Sequence, residues 1–457
     1  MVDLFADGEA SAETALVSRL SSPERLLQIA REYDRKGQLQ ETAAAYVAAI
    51  TVAGAGGNLR VAAEALRRLA VVNCRRQETD AARALCARSE AVAREACDDD
   101  LVAEALNTAG GLDLLDERFE QAHALFLQAA ALAGDQDLLG RIEQNLATVA
   151  SITGDYAEAL DRYQRSLAGF LGAGNDQGCA VVYHNLGVVS IDLRQWADAD
   201  RYLRCCLQKV HLTGDLHLRG QAVMNHAEAL AGLGRLREAR VAAETATSIF
   251  DELHAPRELA DAYRVLGVVF RRLGELPAAQ TRLRLAIEVA STSRCALSEA
   301  EATRELALVL AALGRTAEAA TLMGRAAADL ERLKPASAPA AGTARDLPAS
   351  VRAWGDLLAV LDPSGEGHAE RVAEGAVEAA RQQGLDGEAQ ARIRVAGYLH
   401  ALDPAWISEG MLPWNARPIL CALHGGPRTV ESEIIAREID RCPPRRLSVS
   451  SAGGPAG

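Results

Sequence analysis

A repeating unit of about 40 residues is the feature of this sequence that most restricts its fold. Six-residue segments similar to Gly154–Ala159 recur along the chain, and the first residue of each is taken as the register point of its unit. The register points are Gly37, Gln77, Glu117, Gly154, Arg194, Gly234, Gly274 and Gly314. Successive points are 40 residues apart, except for a spacing of 37 between Glu117 and Gly154. This period predicts stacked copies of one structural unit rather than a single compact core.

Three columns of small residues share this register and predict closely packed helices. Seven residues before the register point stand Ala30, Ala70, Gly110, Ala147, Gly187, Ala227, Gly267 and Ala307. Five residues after it stand Thr42, Ala82, Ala122, Ala159, Ala199, Ala239, Ala279 and Ala319, and twelve after it stand Ala49, Ser89, Ala129, Ser166, Cys206, Ala246, Ala286 and Ala326. A large side chain in any of these columns would hold two helices apart, at a cost of about 1–3 kcal/mol.

A fourth column, two residues after the register point, is usually large and apolar. Its members are Leu39, Phe119, Tyr156, Trp196, Leu236 and Leu276, with Thr79 and Thr316 as exceptions. Glycine at most register points favours the left-handed turn that ends a helix. Between these points apolar residues recur at intervals of three and four, which indicates amphipathic helices. Each unit is therefore predicted to be a pair of helices joined by a tight turn.

These columns resemble the tetratricopeptide repeat over residues 22–334, with a period of 40 residues in place of the usual 34. The resemblance implies an all-α fold, a right-handed superhelix of about eight helix–turn–helix repeats. It also implies that the concave face of this superhelix holds a protein or peptide partner. Residues 335–350 are rich in Pro, Ala, Ser and Gly and are predicted to form a linker. A smaller helical domain is predicted at residues 351–442, followed by a disordered tail at 443–457.

Composition restricts the class of partner. The net charge of −13 disfavours general affinity for nucleic acid or for an anionic membrane, because clustered cations carry such binding. The first residues have neither a cationic segment nor an apolar segment typical of a secretory signal, and no apolar run reaches membrane length. We therefore expect a cytoplasmic protein. Only three of its 49 basic residues are lysines, which indicates a GC-rich bacterial genome.

A column of asparagines is the first candidate for function. Nine residues before the register point, Asn145, Asn185 and Asn225 stand in three consecutive units. An amide both donates and accepts hydrogen bonds, as a receptor for an extended peptide backbone must. Asparagines at this position in the tetratricopeptide repeat family often bind peptides, so the resemblance implies that these three residues bind the partner. The alternative is that they only hydrogen-bond neighbouring helices.

The second candidate is a stretch that resembles the opening of the HD-GYP family of metal-dependent phosphodiesterases. The matching residues are 361–373, 384–385 and 398–400. Within them His368 and His400 are 32 residues apart, the interval which that family has between its first histidine and the histidine of its His-Asp pair. The resemblance covers roughly residues 351–442, which is shorter than a complete domain of this type, and it implies an HD-like helical fold.

This stretch departs from the HD-GYP family at the positions that carry its chemistry. Ala401 follows His400, where the family has an aspartate that helps to hold two metal ions. The later His-His-Glu and Gly-Tyr-Pro elements are reduced to residues 423–427, which contain no tyrosine. The resemblance therefore leaves, as vestigial metal ligands, His368, His400, His424 and Asp440.

Several functions for the C-terminal domain stay open. We expect it to be catalytically inactive and to act as a regulatory or interaction module. Its imidazoles could hold one transition metal weakly, and Asp403 could replace the missing aspartate. The alternative is an active metal-dependent phosphohydrolase, such as a cyclic-dinucleotide phosphodiesterase, regulated by the repeats. A sensor for a transcription regulator would need a DNA-binding segment on a partner, because none is recognisable in this chain.

No other motif indicates catalysis or a cofactor. The sequence contains no GxxxxGK[ST] loop, no GxGxxG turn and no GxSxG elbow. We interpret Glu301, Arg304 and Glu305 as part of a solvent-exposed helix face. The sequence thus predicts a scaffold that binds a protein or peptide, with no catalytic residue, no cofactor and an oligomeric state that stays open.

Overall fold

The computed structural model describes residues 22–333, 347–361, 367–403, 407 and 416–442. All regular secondary structure in these ranges is α-helical. The helices, in chain order, are α1 Pro23–Arg35, α2 Leu39–Ala55, α3 Leu59–Arg75, α4 Thr79–Glu95, α5 Asp99–Leu115, α6 Phe119–Leu132, α7 Gln136–Thr153, α8 Tyr156–Ala173, α9 Asp176–Asp192, α10 Trp196–Thr213, α11 Leu216–Gly232, α12 Leu236–Glu252, α13 Pro256–Arg272, α14 Leu276–Thr292, α15 Ala296–Ala312, α16 Thr316–Arg332, α17 Ala349–Leu361, α18 His368–Gln382, α19 Gly387–Tyr398, α20 Arg417–Leu423 and α21 Val430–Arg441. None of these helices combines the length and the apolar composition that a membrane-spanning segment needs.

Helices α1 to α16 form eight pairs, one for each register point. In every pair the second helix begins two residues after the register point, at the column that is usually large and apolar. The predicted all-α repeat fold is confirmed. The short unit arises from α6, which has 14 residues where the other second helices have 17 or 18.

Left-handed turns end the first helix of every pair. The backbone φ at the eight register points ranges from 56° at Arg194 to 87° at Gly154. Three of these residues are not glycine, and each costs about 1–2 kcal/mol in this conformation. Six turns between successive pairs also contain a residue with positive φ, twenty positions after a register point. These residues are Gly57, Cys97, Gly174, Gly214, His254 and Arg294. Each unit is thus two helix–turn segments of similar length, a subdivision that the sequence columns did not reveal.

The small columns lie where the helices of a pair approach most closely. Every member of the three columns is buried. A Cβ added to Gly110 would lie 2.6 Å from the Phe126 ring, and one added to Gly267 would lie 2.5 Å from the Leu283 side chain. Glycine at these two positions therefore leaves room for the facing side chain.

The repeats are divided between two compact units. Unit 1 contains Met1–Leu193 and Arg204–Gly214, and unit 2 contains Arg194–Leu203 and Asp215–Gly457. Within each unit the first helices of successive pairs pack side by side. In unit 1, α5 packs against α7 and α7 against α9, while in unit 2 α11 packs against α13 and α13 against α15.

The helices α17 to α21 belong to unit 2. Helix α17 packs against α15 and α16, the contacts that a ninth first helix would make. Trp354 of α17 is fully buried in a cluster that also includes residues of α15, α16, α18 and α19. The C-terminal helices thus continue the packing of the last repeats. Residues 335–346 of the predicted linker and the predicted tail at 443–457 lie outside the described residues.

Gly267→Ala is expected to lower the free energy of unfolding by about 1–3 kcal/mol, because the new methyl group meets Leu283. Leu283→Ala alone leaves a cavity and is expected to cost about 2–5 kcal/mol. The double variant carries alanine at both positions, as the preceding unit does at Ala227 and Ala243. Its cost should therefore be smaller than the sum of the two single costs. Urea denaturation of the four proteins measures this difference, and strictly additive costs would contradict the proposed contact.

Candidate functional site

Two of the three column asparagines lie in unit 1, on the first helices of adjacent pairs. Asn145 is half-buried on α7, and its Nδ2 donates a hydrogen bond to Oδ1 of Asn107 on α5 at 2.9 Å. This bond uses one of the two N–H groups of the Asn145 amide. It fixes the orientation of the amide.

Asn185 is half-buried on α9 and belongs to a chain of neutral side chains. Its Oδ1 lies 3.3 Å from Nδ1 of His184, and its amide also hydrogen-bonds with Tyr163. The Tyr163 hydroxyl in turn lies 3.3 Å from Oγ1 of Thr148. Burial raises the pKa of Tyr163 and lowers the pKa of His184, so both are neutral at pH 7.

We call these six residues the amide cluster: Asn107, Asn145, Thr148, Tyr163, His184 and Asn185. The half-buried members of the cluster carry donors and acceptors without a net charge, and the buried Tyr163 supports Asn185 from α8. Such a surface suits the alternating N–H and C=O groups of a peptide backbone. Sequence analysis missed Asn107 and His184, although each stands one residue before the asparagine column, at a neighbouring position on the same helix turn.

The third asparagine lies in unit 2. Asn225 is half-buried on α11, and the next residue, His226, places its Nε2 2.8 Å from Oδ1 of the buried Asp200 on α10. The position of His226 is apolar in the other seven units, where it is Ile29, Leu69, Ala109, Leu146, Leu186, Leu266 or Leu306. The polar pair of His226 and Asp200 thus anchors the helix that carries Asn225.

Charged side chains surround the same helix face in the last repeats of unit 2. The interpretation of Glu301, Arg304 and Glu305 as a solvated face is wrong for Glu305, which is only 4% exposed, whereas Glu301 and Arg304 are half-buried. Its carboxylate lies 2.8 Å from Arg304 Nη2 and 3.2 Å from Arg271 Nη2. Helices α13 and α17 pack against α15, so the burial of Glu305 depends on neighbouring helices and could not be predicted from spacing along α15 alone.

The charged cluster comprises seven residues: Glu228, Arg264, Arg271, Glu301, Arg304, Glu305 and Asp356. Arg264 Nε lies 3.2 Å from Glu301 Oε2, and Arg304 Nη1 lies 4.0 Å from Asp356 Oδ2 on α17. Burial raises the pKa of Glu228 and of Asp356. Burial also raises the pKa of Glu305, but Arg304 and Arg271 outweigh this effect and hold it below the usual range.

The predicted metal ligands of the C-terminal helices are only partly brought together. The rings of His368 and His400 meet edge to face, with centroids 5.0 Å apart, and Nδ1 of His400 lies 2.7 Å from the Gly397 carbonyl oxygen. Burial lowers the pKa of His400, the hydrogen bond with Gly397 offsets this only in part, and the neighbouring His368 and His424 lower the pKa further. His424 and Asp440 are both exposed, on α20's C-terminal turn and on α21.

The residues present do not fit the two-metal centre that the HD-GYP resemblance implies. In the described ranges, no three His, Cys, Asp or Glu side chains are grouped so that they could hold one metal ion. Ala401 lies in an exposed turn and offers no ligand, and Asp403 is exposed as well. Two neighbouring divalent cations without a bridging carboxylate would also repel each other.

Comparison with known sequences matches part of the repeat array. Residues 138–209, which span α7 to α10, match the tetratricopeptide repeat family. No curated protein sequence matches the chain. The match agrees with the packing columns of the same residues, and the other helix pairs share the register of this matched segment.

Comparison with solved structures supports the fold. The apo form of the quorum sensor NprR from B. thuringiensis is similar with a TM-score of 0.52 and 14% sequence identity, over 70% of this chain and 89% of that chain. Aspartyl phosphate phosphatase F from Bacillus subtilis is similar with a TM-score of 0.51 and 11% identity, over 74% of this chain and 98% of that chain. At these identities the likeness is one of fold alone.

The burial of His184 predicts a pH-dependent stability of unit 1. Its folded-state pKa lies below that of an unfolded histidine, about 6.5, so the unfolded chain binds more protons. The contribution of neutral His184 to the free energy of unfolding should therefore be fully present above pH 6.5. This contribution should be lost as the pH falls below that value. His184→Gln should flatten this part of the profile. Urea unfolding between pH 5 and pH 8 measures the effect, and an unchanged slope would show that His184 is not the group responsible.

Proposed function

We propose that the protein is a scaffold that binds a partner protein through an extended peptide segment. The segment lies on the first helices of the repeats, where the backbone contacts Asn145, Asn185 and Asn225. The partner's N–H and C=O groups exchange hydrogen bonds with these amides, and the repeats themselves change no covalent bond.

The observation that carries this proposal is the orientation of the amides in unit 1. Asn145 is held by Asn107, and Asn185 is held by His184 and Tyr163. Each amide is thus fixed before a ligand arrives, which reduces the entropy that binding would otherwise cost. Half-burial also strengthens the hydrogen bonds that the remaining donors and acceptors form.

The same contacts permit a purely structural role, because the bond from Asn145 to Asn107 joins two neighbouring helices. The two roles differ in what the asparagines stabilise. A structural amide lowers the free energy of folding, whereas a recognition amide lowers the free energy of binding. Stability and binding must therefore be measured on the same variants.

The triple variant Asn145→Ala, Asn185→Ala, Asn225→Ala is expected to fold and to lose partner binding. Each alanine removes a hydrogen bond worth about 0.5–1.5 kcal/mol, so the three together should weaken binding by at least tenfold. Affinity capture with the full chain, followed by titration of the captured partner, measures this loss. The proposal would be contradicted if the triple variant captured every partner at wild-type affinity. It would also be contradicted if the triple variant lost binding only because it unfolds.

We further propose that the C-terminal helices are a catalytically inactive, HD-like module with a regulatory or interaction role. The residual histidines His368, His400 and His424 support common ancestry with metal-dependent phosphohydrolases. Ala401 and the exposed position of Asp440 argue against retained hydrolysis. The packing of α17 on α15 and α16 makes this module a cap of the last repeat.

A metal assay tests the inactive state of the module. The full chain, supplied with manganese or iron(II), is expected to leave cyclic dinucleotides intact, because no bridging carboxylate follows His400. Metal binding itself is measured by titration with cobalt(II), with His400→Ala as the comparison. Cyclic-dinucleotide turnover that disappears in His400→Ala would instead establish an active phosphohydrolase.

A further inference from the structure

We propose that the bound partner segment carries a cationic side chain, lysine or arginine, that pairs with Glu228. This inference depends on the proposed peptide binding and specifies the chemistry of the partner at one position. Glu228 follows Asn225 by three residues on α11, so the two side chains lie on the same helix face about 5 Å apart along the axis. An amide and a carboxylate at this spacing can hold a backbone group and the adjoining side chain of one segment.

Glu228 is a half-buried carboxylate that forms no hydrogen bond or ion pair with any residue in the described ranges. The corresponding position is occupied by Val188 in the preceding repeat, by Val268 in the following repeat and by Leu308 in the repeat after that. An apolar residue therefore satisfies the packing there. A desolvated carboxylate at such a position costs stability unless a cation pairs with it.

The neighbouring Arg264 and Arg304 act on Glu228 through their charge, but each of the nearby arginines contacts another carboxylate directly. Arg264 contacts Glu301, Arg271 contacts Glu305, and Arg304 lies between Glu305 and Asp356. The charged cluster contains four carboxylates and three guanidinium groups. One additional cation at Glu228 would balance the cluster.

The raised pKa of Glu228 agrees with a shortage of positive charge around its carboxylate. Burial raises the pKa of its carboxyl group, and the nearby carboxylates of Glu301 and Glu305 raise it further. Arg264 and Arg304 lower the pKa of Glu228 but do not compensate for these effects. A bound cation would favour the ionised form, so binding of a cationic segment should weaken as the pH falls through the raised pKa of Glu228.

Selection of random twelve-residue peptides on the full chain tests this specificity. The wild-type protein is compared with Glu228→Gln, which removes the charge at nearly constant shape. Glu288→Gln is the matched control, because Glu288 is an exposed carboxylate of unit 2 that lies on a second helix, α14, in the repeat that follows the one with Glu228. We expect peptides from the wild type and from the control to share lysine or arginine at one fixed position, and we expect this preference to disappear with Glu228→Gln.

The affinity of one selected peptide then measures the pairing. Replacing its conserved lysine by norleucine should weaken binding to the wild type by about tenfold or more, the range of hydrogen bonds to charged groups, and should change binding to Glu228→Gln little. Calorimetry of the four combinations gives this coupling directly. Urea unfolding of Glu228→Gln verifies that the variant is folded.

The outcomes distinguish this inference from the proposed function. Peptides that are enriched without a basic position, or with the same basic position on Glu228→Gln, would overturn the cationic subsite and leave peptide binding intact. Equal losses for the norleucine peptide on both proteins would do the same. Failure to enrich any peptide on the wild-type chain would overturn peptide binding itself, and this inference with it.

Discussion

The close approach of paired helices at the three small-residue columns is the constraint on which the repeat architecture depends. An added methyl group at Gly110 would overlap Phe126, and one at Gly267 would overlap Leu283. The side-chain volume on one helix is therefore matched to the space left by the facing helix. Interiors packed this densely tolerate little change in volume. With the helices of a pair held in one geometry, each first helix directs the same positions towards its neighbours.

Polar side chains distinguish repeats that otherwise share one packing scheme. Asp113 is buried between arginines in unit 1, Asp200 is paired with His226 in unit 2, and Glu305 is held by two arginines near the end of the array. Such pairs add little stability compared with apolar residues, but removal of one partner typically costs about 3–5 kcal/mol. Glu228 differs from all of them, since it forms no close ion pair within the described chain and the charges of Arg264 and Arg304 do not offset its burial.

The sequence predicted those features that recur, and it failed on those that depend on unique contacts. Eight register points and three small columns predicted the helix pairs and their buried positions, because the same packing requirement acts eight times. The exposure of Glu305 was predicted wrongly, since it depends on helices that are distant in sequence from α15. The hydrogen bond between Asn107 and Asn145 was not predicted for the same reason, because it joins two helices and its residues are 38 positions apart in sequence. The roles of the asparagines and of the C-terminal histidines remain predictions.

The central claim is that the first helices bind a peptide while the second helices only support them. Hydrogen exchange of the full chain, with and without a saturating selected peptide, tests this claim most directly, because it reports protection segment by segment. The claim predicts slower exchange in α7, α9 and α11, together with unchanged exchange in the second helices and in α18 to α21. Protection confined to the C-terminal helices, or spread equally over first and second helices, would contradict it.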